Sequence, residues 1–100
     1  MSITTKIDEA GNQLTVFVDG KFDFSIYDEF RKAYQKGENG NFNFSVDLNK
    51  TVYMDSSALG MLLLLKEYAG ESNKVNILNP SEEVKTVLNI ANFDKIFNIS

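Results

Sequence analysis

Ile3, Thr5 and Ile7 alternate with Thr4 and Lys6, a spacing of two that predicts a short strand. Gly11-Asn12 marks a turn within Asp8 to Gln13. Leu14, Val16 and Val18 then alternate with Thr15, Phe17 and Asp19, giving a second strand paired antiparallel with the first and ended by Gly20. The spacing changes after Gly20. Ile26, Phe30, Ala33 and Tyr34 recur at i, i+4, i+7 and i+8, one face of a helix, with Ser25 as its cap and Asp28 and Glu29 in the first turn. Gly37 stops this helix and Glu38 to Asn41 form a polar loop. Phe42, Phe44, Val46 and Leu48 alternate with Asn43, Ser45 and Asp47, the clearest strand of the chain.

Asn49 to Thr51 is a short polar break, and Val52-Tyr53-Met54 leads into Asp55-Ser56-Ser57, a strong helix-start signal. The helix over Ala58 to Glu67 is apolar most of the way round, through Leu59, Met61, Leu62, Leu63, Leu64, Leu65 and Tyr68. Such a helix is largely buried, or meets a partner on its second side. Gly70 ends it, and Val75, Ile77 and Leu78 read as another strand. Asn79-Pro80 opens a third helix, with Pro80 at the first helical position, Asn79 or Ser81 as the cap, and Val84, Val87, Leu88 and Ala91 on one face. Phe93 to Ser100 reads as a helical turn running into an edge strand. Strands that alternate with helices pair in parallel through right-handed crossovers. The expected fold is α/β, a single domain over residues 1–100, with a mixed sheet of four to five strands and three to four helices packed against it.

Composition agrees with one domain: 100 residues, 43% apolar and 24% charged. It narrows the chemistry further. The chain has no Cys and no His, which removes disulfides, zinc-thiolate sites, cysteine nucleophiles and the commonest general base. A Ser-His-Asp triad cannot be built, and no Ser-x-x-Lys step supplies another base. We therefore expect no enzyme, no cofactor and no metal. The balance of 10 basic to 14 acidic residues argues against a nucleic-acid partner. The longest apolar run, Met61 to Leu65, is far short of the ~20 residues that span a bilayer. No apolar run precedes the first charges, so no signal peptide is read, and a cytoplasmic protein is expected.

The candidate chemistry lies between Val46 and Gly60. A strand ends at Leu48, a loop carries the chain to Asp55, and the hydroxyls of Ser56 and Ser57 fall at the start of an apolar helix. The plain reading is capping of free backbone N–H groups. The same geometry accommodates a phosphate, since a helix start favours an anion.

The run "FNFSVDL", the loop "NKTVYM" and the helix start "DSSALGMLLLL" resemble the signature of the STAS domain, and more narrowly the small bacterial anti-sigma factor antagonists. "LTVFVDGKFDFSIYDEFRKAY" and "KVNILNPSEEVKTVLNIANFDKIFNI" extend the resemblance over nearly the whole chain. It implies partner switching. The unmodified protein binds an anti-sigma factor, or a related regulator with a serine kinase domain. Phosphorylation of the first Ser after the Asp releases it, and a PP2C-type serine phosphatase resets it. Carried over residue by residue, the acceptor is Ser56, with Ser57 a weaker candidate. Asp55 and Asp23 (in "GKFD") line the site, and Ala58 and Met61 lie beside it.

Ala58 stands where these proteins usually carry Gly, which implies a stiffer first turn and a changed fit to the kinase. Met61 and Leu62 have a heavier competing reading as core, because packing supplies most helix stability. The sequence ends at Ser100, where longer members continue into a final helix. A second function class is a STAS subunit of a larger assembly, such as a lipid-transport ABC ATPase; those members tend to carry Asp-Thr-Ala where this chain has Asp55-Ser56-Ser57. A third is a receiver domain, with Asp47 near a strand end, but the acidic pair expected after its first strand is absent.

Overall fold

The computed structural model describes residues 3–37, 42–71 and 73–100. The polar loop expected over Glu38 to Asn41 lies outside them. β1 (Ile3–Asp8) and β2 (Gln13–Val18) form the antiparallel hairpin, in a register that pairs Ile3 with Val18 and Asp8 with Gln13. The turn is held by local chemistry: Asp8 accepts a hydrogen bond from the Gly11 N–H, and Asn12 takes a left-handed backbone with φ of 52°. Leu14, Val16 and Val18 are buried, as the alternation requires.

After β2 the chain departs from the expected order. Gly20 does not end the strand region but begins β3 (Gly20–Phe22), which leaves the main sheet and pairs in parallel with β5 (Thr51–Met54). Gly20 has φ of 96°, a conformation that residues with a Cβ rarely adopt, and this redirects the chain. Two hydrogen bonds fasten the joint. The Gly20 N–H donates to the Lys50 carbonyl at 2.9 Å, and the buried Thr51 hydroxyl donates to the Val18 carbonyl at 2.8 Å.

Asp23 then caps a 3-10 turn over Phe24–Ile26, and α1 (Tyr27–Gln35) follows. Ser25 is not the cap: its hydroxyl and its N–H both donate to the Asp23 carboxylate, because Asp23 has the extended backbone that a cap needs. Ile26, Phe30, Ala33 and Tyr34 are all buried. β4 (Asn43–Asp47) and β6 (Val75–Leu78) flank α2 (Ser56–Ala69) in the chain. α3 (Glu82–Ile90) is capped by Ser81, whose hydroxyl accepts the Val84 N–H at 3.2 Å. Pro80 thus precedes the cap and is not the first helical residue. Asn79 cannot serve either, since its φ of 57° is left-handed where a cap is extended. A 3-10 turn over Phe93–Lys95 leads to β7 (Asn98–Ile99).

The main sheet has five strands in the order β1-β2-β4-β6-β7, antiparallel at the first pair and parallel at the others. It is a single α/β domain with three α-helices among the described residues. The core lies between one face of the sheet and the helices, with Leu14, Val16, Phe44, Val46 and Ile77 facing Phe30, Leu62 and Leu65. α2 buries Ala58, Met61, Leu62, Leu65 and Ala69, while Leu63 and Leu64 stay exposed on its other side.

Candidate functional site

β3 and β5 run side by side in the same direction, with Phe22 paired to Met54. The residues that follow are therefore neighbours: Asp23 after β3 and Asp55 after β5. Each begins the same device. Asp23-Phe24-Ser25 and Asp55-Ser56-Ser57 are both Asp-x-Ser, both Asp residues are extended, and each carboxylate accepts from the N–H and the hydroxyl of the Ser two residues on.

At Asp55 the network is the fuller. Its Oδ1 accepts the Ser57 N–H at 3.0 Å, the Ser57 hydroxyl at 2.6 Å and the Ala58 N–H at 3.3 Å. The Tyr53 hydroxyl lies 3.5 Å from Oδ2. The Ser57 hydroxyl, more than any other group, holds the Asp55 carboxyl below its usual range. Partial burial opposes this, and the Ala58 and Ser57 N–H groups reinforce it.

The two serines consequently differ. Ser57 is half-buried and its hydroxyl is committed to Asp55. Ser56 is the first residue of α2, is exposed, and its hydroxyl has no hydrogen-bond partner among the described residues. Asp55 supplies the cap, so Ser56 is not needed for it. A free hydroxyl at a helix start, beside backbone N–H groups that favour an anion, suits a reaction that adds a phosphate.

Ala58 and Met61 do not line this surface. Ala58 is fully buried and Met61 is 3% exposed, because they lie on the side of α2 that turns into the core. The exposed apolar groups near the site come from other residues, which the sequence pattern did not single out. Phe24 is 66% exposed and stacks on Tyr27 with ring centroids 5.1 Å apart, and the Arg31 guanidinium lies 5.9 Å from the Tyr27 ring centroid. Val52 is 70% exposed, and Tyr53 is exposed beside it. The available signal was the Asp-x-Ser repeat itself, which puts a Phe where the second copy has Ser56.

The family model of the STAS domain matches residues 4–100. A STAS-domain containing protein of Pseudomonas aeruginosa (strain UCBPP-PA14) is 43% identical over 101 residues, covering 100% of both chains. Among solved structures, the anti-sigma factor antagonist SpoIIAA in its unphosphorylated form superposes with a TM-score of 0.75 at 15% identity, over 98% of this chain and 86% of that one. An anti-sigma factor antagonist from Mycobacterium paratuberculosis gives a TM-score of 0.81 at 19% identity, over 98% of this chain and 85% of that one. Such low identities speak for the fold. The family match and the full-length relative go further, and on them this chain belongs to the STAS domain family.

Proposed function

We propose that this protein is an anti-sigma factor antagonist that works by partner switching, with Ser56 as its phosphate acceptor. The observation that carries the reading is the contrast between the two serines: Ser56 is exposed with a free hydroxyl, and Ser57 is held by Asp55. The unmodified chain docks on an anti-sigma factor, or on a related regulator with a serine kinase domain. Phe24, Val52 and Tyr53 supply exposed apolar area around the acceptor, the kind of patch that protein contacts use. A phosphate on Ser56 adds about −1.5 to −2 charges. It must be stripped of water on docking, and it lies close to the carboxylates of Asp55 and Asp23. Docking weakens without any change of fold. A PP2C-type phosphatase removes the phosphate and restores binding.

The role is regulatory and not enzymatic, in bacterial signal transduction that controls transcription. We place it in the cytoplasm, as one STAS domain over residues 1–100. The fold likeness to SpoIIAA, a structure of an unphosphorylated form, supports the reading.

The test is the intact mass of the protein from its native cells, with and without PP2C phosphatase treatment. A phosphatase-sensitive phosphate mapped to Ser56, abolished by Ser56→Ala and retained in Ser57→Ala, is the expected result. Absence of phosphate under every growth condition overturns it and leaves an unmodified subunit of a larger assembly, such as a lipid-transport ABC ATPase.

A further inference from the structure

The face of the main sheet that points away from the core carries a row of aligned side chains. Thr4 pairs with Phe17, Phe17 with Asp47, and Asp47 with Leu78, on four successive strands. The next row is polar throughout: Lys6, Thr15, Ser45, Asn76 and Asn98. Phe17 is therefore an aromatic ring set among hydroxyls, amides and charges, and it makes no ring-to-ring contact among the described residues.

A cavity of about 330 Å³ opens beside this ring, at the end where β2 and β4 finish. Thr4, Phe17, Asp19, Asp47, Asn49 and Lys50 line it. Asp47 is fixed in place, because Oδ1 accepts the Asn49 N–H at 2.9 Å and Oδ2 accepts the Asn79 amide at 3.3 Å. The side chains of Thr4, Asp19, Asn49 and Lys50 make no hydrogen bond or ion pair among the described residues. Nothing in the fold uses these groups, although they converge on one cavity.

We propose that this cavity binds a small organic cation with an ammonium or guanidinium group, seated on the Phe17 ring and charge-paired with Asp47 and Asp19. An aromatic face attracts a cation through its quadrupole, and a nearby carboxylate adds to the attraction. The two carboxylates outweigh the single Lys50, which excludes simple anions. A bare metal ion fits less well, since no group of three or more His, Cys, Asp or Glu that could hold one occurs among the described residues. The cavity is near the lower end of the size range of ligand sites, which suits a ligand of amine size. It is also separate from Ser56, so this inference does not depend on the switching function.

The cation has two possible sources, a free amine or a basic side chain of a docking protein, and two probes separate them. ¹⁵N-labelled full-length protein is titrated with agmatine, with the end-blocked peptide acetyl-Gly-Arg-Gly-amide, and with KCl at matched ionic strength. The expected result is saturable shifts at the amides of Phe17, Asp47 and Lys50 with at least one probe and not with KCl. Tighter agmatine binding assigns a free amine, and tighter peptide binding assigns a side chain. Phe17→Leu should weaken binding about fivefold and Asp47→Asn about tenfold. Asp47 also orders the loop, so Asp19→Asn, at an exposed position, serves as the second carboxylate test. Shifts that match KCl overturn the proposal, as does unchanged affinity in both Phe17→Leu and Asp19→Asn.

Discussion

The same chemical change at two glycines should move stability in opposite directions. Gly20 and Gly60 both have open space where a Cβ would be built, so neither Gly→Ala change meets a clash. Only the backbone differs. Gly20 has φ of 96°, and Gly60 lies within α2. In Gly20→Ala the added Cβ meets its own backbone, which costs about 1–2 kcal/mol in left-handed space. The more restricted unfolded chain returns about 0.4–1 kcal/mol. With φ well beyond the usual left-handed value, the upper cost applies, and a net loss of about 1 kcal/mol is expected. In Gly60→Ala the helix gains about 0.5–1 kcal/mol. For a domain of this size each kcal/mol moves Tm by about 4–8 °C. Urea unfolding followed by circular dichroism measures both, with the slope expected to match wild type. If Gly20→Ala is neutral, or Gly60→Ala destabilises, the assignment of these effects to backbone conformation is wrong.

Four further outcomes follow from the site and the core. Ser56→Ala should leave stability within about 0.5 kcal/mol of wild type, since the hydroxyl is exposed and unbonded; a larger change in urea unfolding contradicts that description. Ser57→Ala removes the strongest influence on Asp55, so the Asp55 carboxyl should titrate closer to the ordinary range, read by carboxyl ¹³C NMR. Because the folded carboxyl titrates below the unfolded one, Asp55 stabilises the fold fully above the ordinary carboxyl value of about 3.9. That contribution is lost as pH falls through the lower folded value. Asp55→Asn, which keeps a good cap, should be close to wild type at neutral pH and show a shallower acid decline in Tm. Leu62→Ala, at a fully buried position of α2, should cost about 2–5 kcal/mol, whereas Leu63→Ala on the exposed side should cost far less; near-equal losses in urea unfolding would refute the orientation of the helix.

Periodicity located the hairpin, β4, β6, α1 and α3, because each buries a repeating face against the same core, whereas α2, apolar most of the way round, was marked by the Asp55-Ser56-Ser57 start. β3 and β5 escaped it. They are three and four residues long, too short for alternation to register, and each is defined by its partner 31 or 32 residues away. The Asp-Ser-Ser step was visible in the sequence, but the inequality of its serines was not. That inequality depends on the extended backbone of Asp55, which aims the carboxylate past Ser56 at Ser57. Ala58 and Met61 were drawn to the site by nearness in sequence, and helical geometry turns both inward. Residue type alone favours Ser25 as the cap, yet Asp23 two positions earlier has the backbone for it.

The two-stranded β3–β5 ribbon also bears on the order in which the molecule assembles. Two strands alone are marginal in water, and this pair joins segments far apart in sequence. The β2–β4 pairing brings Val18 and Thr51 together, so the ribbon is stabilised by a main sheet that is already in place. Amides of β3 and β5 should therefore exchange with solvent before those of β2, β4 and β6. Asp23 follows β3 and Ser56 lies just beyond β5, so local opening of the ribbon is expected to separate the two sides of the Ser56 surface. Under the proposed function, a chain with an unfinished sheet would offer no docking surface, and the switch would depend on completion of the fold.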